Sequence, residues 1–265
     1  MSEVDRTEEF LGLGFHCDNL DGATQRVLNG EPQVPFRYVV TPNVHDMVRL
    51  LEDPVQIAPL YADAWRTYCD SRVLRRLARL YGRQLSLVTG SDLTVALLTE
   101  ANRLGLQVLL IGPQQEDGAE LGHRFPQLKI VTHTPPMGFI ASEAAVKECV
   151  DAVVRARAPL VFLAVGMPRQ LILAHRIAKT EGATGIGLCI GASIDFLTGK
   201  QRRAPLWMQR AGVEWLYRLL SEPRRLASRY LIECPRIFYL LLRQPPPFIR
   251  GRSPGACGTP SAWGA

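Results

Sequence analysis

Short, uninterrupted apolar runs alternate with amphipathic stretches from Phe36 to Gly191, and this alternation restricts the chain to few architectures. The runs are Arg37–Thr41 (RYVVT), Leu85–Thr89 (LSLVT), Gln107–Ile111 (QVLLI), Leu128–Val131 (LKIV), Leu160–Val165 (LVFLAV) and Gly187–Ile190 (GLCI). They are strand-length and lack a clean apolar/polar alternation. Strands of that kind are buried on both faces, and with helices between them they form a parallel sheet of βαβ units. The intervening helical patterns lie near 44–52, 73–82, 92–104, 115–124, 141–157 and 169–181. The expected fold class is α/β: a Rossmann-like, open, mostly parallel sheet built from residues 1–199.

Charge divides the chain a second way. Residues 1–199 carry 19 Lys and Arg against 22 Asp and Glu, whereas residues 200–265 carry 12 against 3. Of all the cationic side chains, 27 are Arg and 4 are Lys. Arginine's planar fork grips phosphate oxygens bidentately, so a basic, arginine-rich end implies an anionic partner: a diphosphate, an acidic lipid surface or a nucleic acid. Leu206–Ser221 opens after Pro205, ends before Pro223 and reads as an amphipathic helix. Two more helices are expected at Arg224–Cys234 and Arg236–Arg243, separated by Pro235. Arg236 and Arg243, mixed with Ile237, Phe238 and Leu240–Leu242, suit a helix lying in a membrane interface. A hairpin packed on the core with solvated arginines is the other reading of the same residues. Residues 200–243 are thus expected to form a basic helical appendage, and 244–265, rich in Pro and Gly, a disordered tail.

With 265 residues, 47% of them hydrophobic, the chain can bury a full core without disulfide or metal staples. Its longest apolar runs fall far short of the roughly 20 residues that a membrane-crossing helix needs. The opening residues Met1–Asp5 are acidic and no long apolar stretch follows, so no secretory leader is expected. The six cysteines are scattered without a C-x-x-C pair, which fits a reducing compartment. The expected location is cytoplasmic.

Open parallel sheets bind ligands beyond the carboxyl ends of their strands. Those ends carry Thr41-Pro42-Asn43, Thr89-Gly90-Ser91-Asp92, Gly112-Pro113-Gln114, Thr132–Phe139 (which includes Gly138), Gly166–Gln170 (which includes Arg169) and Gly191–Asp195. Glycine admits close backbone approach, Ser, Thr, Asn and Gln offer neutral hydrogen bonds to hydroxyls, and a helix N-terminus attracts phosphate. The combination suits a nucleotide-sugar, although the same residue types also build ordinary turns and caps. Gly185-x-Gly187-x-x-x-Gly191 is not a dinucleotide fingerprint, because its first two glycines open a strand instead of following one. A Walker lysine, a G-x-S-x-G elbow, an H-E-x-x-H helix and an Asp-x-Asp pair are missing, and the five histidines are dispersed. No cofactor and no metal are therefore expected, and a departing diphosphate would be neutralised by arginines or backbone amides.

Gly191-Ala-Ser-Ile-Asp-Phe-Leu-Thr-Gly199, Arg203–Met208, Glu214–Leu219 and Glu222–Leu226 together form a recognisable signature. Thr41-Pro42-Asn43, Thr89–Leu93, Pro135–Phe139 and Gly166–Gln170 extend it. On these residues, about 10 to 243, the chain resembles the WecG/TagA/CpsF family, glycosyltransferase family 26. The resemblance implies an inverting transferase, peripheral on the cytoplasmic membrane face, that moves a sugar from a UDP-sugar onto a polyprenyl-diphosphate-linked sugar. Within the family the chain looks most like the exopolysaccharide branch that adds a β-1,4 glucose, as in xanthan assembly; transfer of N-acetylmannosamine or its uronic acid is the alternative.

The family's general base is an Asp in a Pro-Asp-Gly stretch, and the matching residue here is Asp70, between Cys69 and Ser71. Asp70 is therefore the expected base, to take the acceptor hydroxyl's proton. A helix N-cap is the competing role for the same residue, and Asp195 would then be the substitute base. The resemblance makes Thr41, Asn43, Gly90, Ser91, Asp92, Gly138, Phe139, Arg169 and Gln170 candidates for donor and acceptor binding. Arg203, Arg218, Arg224 and Arg229 would clamp the diphosphate. Two departures stand out: Leu87 occupies a position where members often carry Arg, and Leu171 one where they tend to carry Glu. A nucleotide- or nucleic-acid-binding module without chemistry is a rival reading, as is a sugar-phosphate hydrolase or epimerase. The lack of a stacking platform or reader motif argues against nucleic acid as a partner, and assembly with further copies of the chain is compatible with the sequence.

Overall fold

The computed structural model describes residues 6–30 and 35–243. The chain opens with an antiparallel hairpin, β1 (Thr7–Phe10) and β2 (Leu13–His16), followed by α1 (Leu20–Leu28) and β3 (Arg37–Val40). Helices α2 (Val44–Glu52) and α3 (Pro54–Ala62), the two-residue strand β4 (Arg66–Thr67), and helices α4 (Arg72–Leu80) and α5 (Gly90–Arg103) come next. The central part runs β5 (Gln107–Ile111), α6 (Gln115–Arg124), β6 (Lys129–His133), α7 (Glu143–Ala156), β7 (Leu160–Leu163), α8 (Arg169–Ala178), β8 (Ile186–Cys189) and α9 (Ser193–Leu197). The last elements are α10 (Leu206–Ala211), α11 (Glu214–Ser221), α12 (Pro223–Ala227), a π-helical turn at Ser228–Glu233 and α13 (Arg236–Arg243).

Six strands make one parallel sheet in the order β4-β3-β8-β7-β5-β6, flanked by helices in a Rossmann-like arrangement. The apolar runs have their cause in this geometry. Successive strand residues point to opposite faces, and both faces are covered. Tyr38, Val40, Leu109, Ile111, Val161 and Leu163 enter one core, while Val39, Val108, Leu110, Leu160 and Phe162 enter the other.

Two expectations about strands are corrected. Leu85–Thr89 is not a strand: only Leu87 forms a bridge, to Cys69, and Val88 N–H donates to the Cys69 carbonyl at 3.1 Å. That segment lies alongside the chain just after β4, the true edge strand. The run expected at Leu128–Val131 is displaced, since pairing with β5 begins at Lys129 and continues to His133.

The basic segment also departs from expectation. The single helix expected over Leu206–Ser221 is two helices, because Gly212 ends α10 in the left-handed region (φ 75°). The helix expected over Arg224–Cys234 tightens only as far as Ala227 and then widens into the π turn. Helix α13 does not lie wholly outward for a membrane. Ile237 and Leu241, 0% and 3% exposed, sit in the core cluster, and α13 packs on α2. Its other face leaves Phe238, Tyr239 and Leu242 exposed. The expected tail, 244–265, lies outside the described residues.

Candidate active site

The site is built around the start of two helices. Ser71 caps α4, its hydroxyl accepting from Leu74 N–H at 3.2 Å. That relieves the preceding residue of capping duty, so Asp70 is not the N-cap. Its Oδ1 instead accepts from the N–H of Gly90, the first residue of α5, at 3.2 Å. Gly90 is tightly held: a Cβ there would come within 2.7 Å of Thr41 Oγ1, and Thr94 Oγ1 donates to the Gly90 carbonyl at 2.7 Å. Glycine is thus required where the end of β3, the Asp70 turn and α5 meet. Thr89 caps α5 by accepting from Asp92 N–H at 3.1 Å.

A cavity of about 420 Å³ opens at this junction, within the size range of small-molecule sites. Asn43, Asp70, Ser91 and Asp92 line it from the sheet's carboxyl edge, and Arg203, Arg218 and Arg229 line it from the segment after α9. Arg203 pairs with Asp92 at 2.7 Å. Arg218 pairs with Glu214 at 3.0 Å and stacks over Phe196, 4.8 Å from its centroid. Arg229 Nη2 donates to Asn43 Oδ1 at 3.4 Å. The Nε atoms of Arg203 and Arg229 are buried and have no hydrogen-bond partner. Buried donors left unsatisfied are costly, and the Arg229 guanidinium also interacts with the Cys234 side chain.

Burial is also the first influence on Asp70. Loss of water pushes its carboxyl up to about 7, Glu214 and Asp46 add to the rise, and Arg218 and the Gly90 N–H oppose it. A carboxyl poised there exchanges protons near neutral pH.

The basic helices are seated on the sheet by side chains of α2. Asn43 caps that helix through His45 N–H at 3.0 Å, and Asp46 returns the bond to Asn43 N–H at 2.9 Å, a capping box. His45 Nε2 lies 2.6 Å from Glu233 Oε2 in the π turn, and Arg236 pairs with Glu52 at 3.0 Å. Burial is the main influence on both buried members, lowering the proton affinity of His45 and raising that of Asp46. The wide π turn presents Arg229 and Glu233 together to the start of α2, in keeping with the association of such turns with functional positions.

Several expected site residues are placed elsewhere. Phe139 is buried in a 3-10 turn behind left-handed Gly138, where it serves the core. Gln170 is 5% exposed and accepts from Gly191 N–H at 2.9 Å, so it ties the loop after β8 to α8. Arg169 opens α8 with its guanidinium beside Gly166, apart from the residues lining the cavity. Asp195 accepts from Gln201 Nε2 at 3.4 Å and neighbours Asp117 and Lys200, also away from the cavity. Arg224 is exposed on α12. Thr41 does not line the cavity and acts through its contact with Gly90.

The structure adds lining residues that carried no individual role in the sequence reading, among them Arg72, Glu214, Trp215 and Tyr230. The Glu214/Arg218 spacing of one helical turn was a usable signal for the ion pair. Nothing in the sequence, by contrast, indicates that Trp215 and Tyr230, with ring centroids 6.1 Å apart, share a wall. Among the described residues no group of three or more His, Cys, Asp and Glu is arranged to hold a metal, and no helix is long and apolar enough to cross a membrane.

A parallel Rossmann-like sheet with an arginine-rimmed cavity at its carboxyl edge defines a class of protein that takes anionic, nucleotide-like ligands at that edge. The sequence model of the Glycosyl transferase WecG/TagA/CpsF family matches residues 8–249, and the chain belongs to that family. It is a glycosyltransferase, which implies a nucleotide-sugar donor and an acceptor.

Proposed function

We propose that this glycosyltransferase is inverting and UDP-sugar dependent, and that it moves a sugar, with β-1,4-linked glucose as the expected case, onto a polyprenyl-diphosphate-linked sugar in exopolysaccharide synthesis. The observation that carries the reading is the presence of Asp70, its carboxyl lifted to about 7, together with Arg203, Arg218 and Arg229 around one cavity. In a single displacement the ionised Asp70 takes the proton of the acceptor hydroxyl as that oxygen bonds to the anomeric carbon. The bond from that carbon to the diphosphate oxygen breaks, and UDP leaves with the electron pair. Arg203, Arg218 and Arg229 supply the positive charge that the leaving diphosphate or the acceptor's own diphosphate needs. Attack from the face opposite the leaving group inverts the anomeric configuration.

The acceptor is a lipid, and the basic segment carries apolar side chains suited to its surroundings. Trp207, Leu220, Leu231, Ile232 and Leu242 are all more than 59% exposed, from 60% to 81%, and arginines are interspersed among them. A helix group with that composition rests on an anionic membrane surface, which makes the protein peripheral. Incubating the purified protein with a panel of labelled UDP-sugars and a short-chain prenyl-diphosphate-glucose tests the reading. Transfer with inverted configuration is expected. Release of free sugar alone would instead indicate a hydrolase, and no turnover with any donor a binding module.

A further inference from the structure

The cavity holds a carboxylate for which the transfer step above has no use. Glu214 begins α11 and lines the same space as Asp70, and its Oε1 accepts from Nε of Arg218, one turn further on, at 3.2 Å and forms an ion pair with Nη2 at 3.0 Å. The two side chains are 29% and 32% exposed, so they form part of the cavity's surface and not of the core. A negative charge in a space suited to a diphosphate repels that ligand, and a neutral glutamine carbonyl could hold Arg218 equally well. The charge itself is therefore what needs explaining.

Asp70 accepts from the Gly90 N–H of α5 and shares the cavity with Glu214 and Arg218 of α11, whose charges, with that of Asp46 on α2, act on its carboxyl. The other charged residues lining the cavity are Arg72, Asp92, Arg203 and Arg229. Cations so concentrated favour the ionised carboxylate, and a carboxylate favoured too strongly is a poor proton acceptor. Glu214 acts in the opposite sense.

We propose that Glu214 is a positioning residue of the transfer reaction, which grips Arg218 beside Asp70 and sets the negative charge that keeps Asp70 a competent base among the arginines. The proposal rests on the reading of Asp70 as the base. It also couples the base to the basic segment, since Glu214 and Arg218 both belong to α11.

Glu214→Gln and Glu214→Asp in the full chain test it by two readouts: the pH dependence of kcat/KM, and the titration of the Asp70 carboxyl carbon by NMR, assigned by its loss in Asp70→Asn. For Glu214→Gln the Asp70 midpoint and the acid limb are expected to fall together by about half a pH unit or more, with severalfold lower kcat on the plateau. Glu214→Asp, which retains the charge, is expected to keep both near their original positions. If Glu214 merely held Arg218 in place, loosening the arginine would withdraw positive charge and the midpoint would rise. A rise, or no movement, overturns the proposal. If Asp70→Asn retains turnover, the base assignment fails on its own account, while the NMR midpoint in Glu214→Gln still decides whether the two carboxylates are coupled.

Discussion

On folding Asp70 gives up water and receives one N–H, from Gly90, in return. The resulting rise from the ordinary 3.8 to about 7 bears on stability as well as on the proposed chemistry. A carboxyl whose folded value is raised binds its proton more tightly folded than unfolded, so the fold loses stability as pH rises through that interval. Asp70→Asn removes the charge. It is expected to stabilise the protein by about 1–3 kcal/mol above neutral pH and to give no gain at about pH 4, where the carboxyl is protonated in any case. Turnover of the same variant is expected to fall by a factor of about 10² or more. Thermal melts at the two pH values and a transfer assay check both parts. Equal melts above neutrality would contradict the burial argument, and near-normal turnover would remove Asp70 from the chemistry.

At the scale of elements, the seating of α13 is the feature most open to measurement. Ile237 is 0% exposed in the core cluster, and its helix packs on α2, whose first turn also binds Arg229 and Glu233. Ile237→Ala is expected to cost about 2–4 kcal/mol and to raise KM more than a surface change such as Leu242→Ala, because the cavity wall shifts with the helix. Denaturant melts and steady-state kinetics on the pair separate the effects; identical KM values would mean that α13 does not support the wall. The elements also show what sequence conveys. The strands buried on both faces were legible as apolar runs because every position must be apolar. Strand β4 was not, since it is two residues, Arg66 and Thr67, at an edge. Helix α3 was missed because it lacks a strong apolar stripe and buries only Tyr61. The β1–β2 hairpin was missed because its strands are four residues each and mix polar with apolar side chains. Asp70 and three of the four arginines singled out in the sequence, Arg203, Arg218 and Arg229, line one cavity. Which of them converge depends on the break at Gly212 and the π turn, and periodicity encodes neither.

At the scale of the whole molecule, residues far apart in the chain share one cavity, with Asn43 and Asp70 on one side and Arg203 to Phe238 on the other. Deleting 200–265 is expected to abolish transfer and liposome binding together. It is also expected to lower the melting temperature, because Leu226, Ile237 and Leu241 leave the interior. Liposome co-sedimentation and calorimetry of the truncated chain check this, and full-rate transfer without those residues would show that the core alone suffices. The cavity's divided ancestry also orders events during synthesis. The sheet and its Thr-Gly-Ser-Asp turn leave the ribosome first, and a nascent chain at that stage is without Arg203, Arg218 and Arg229, which face Asp70 across the cavity. On the proposed function, a half-made or proteolytically clipped copy is therefore expected to spare activated sugar, because one wall of the cavity is in place only when the last helices have docked.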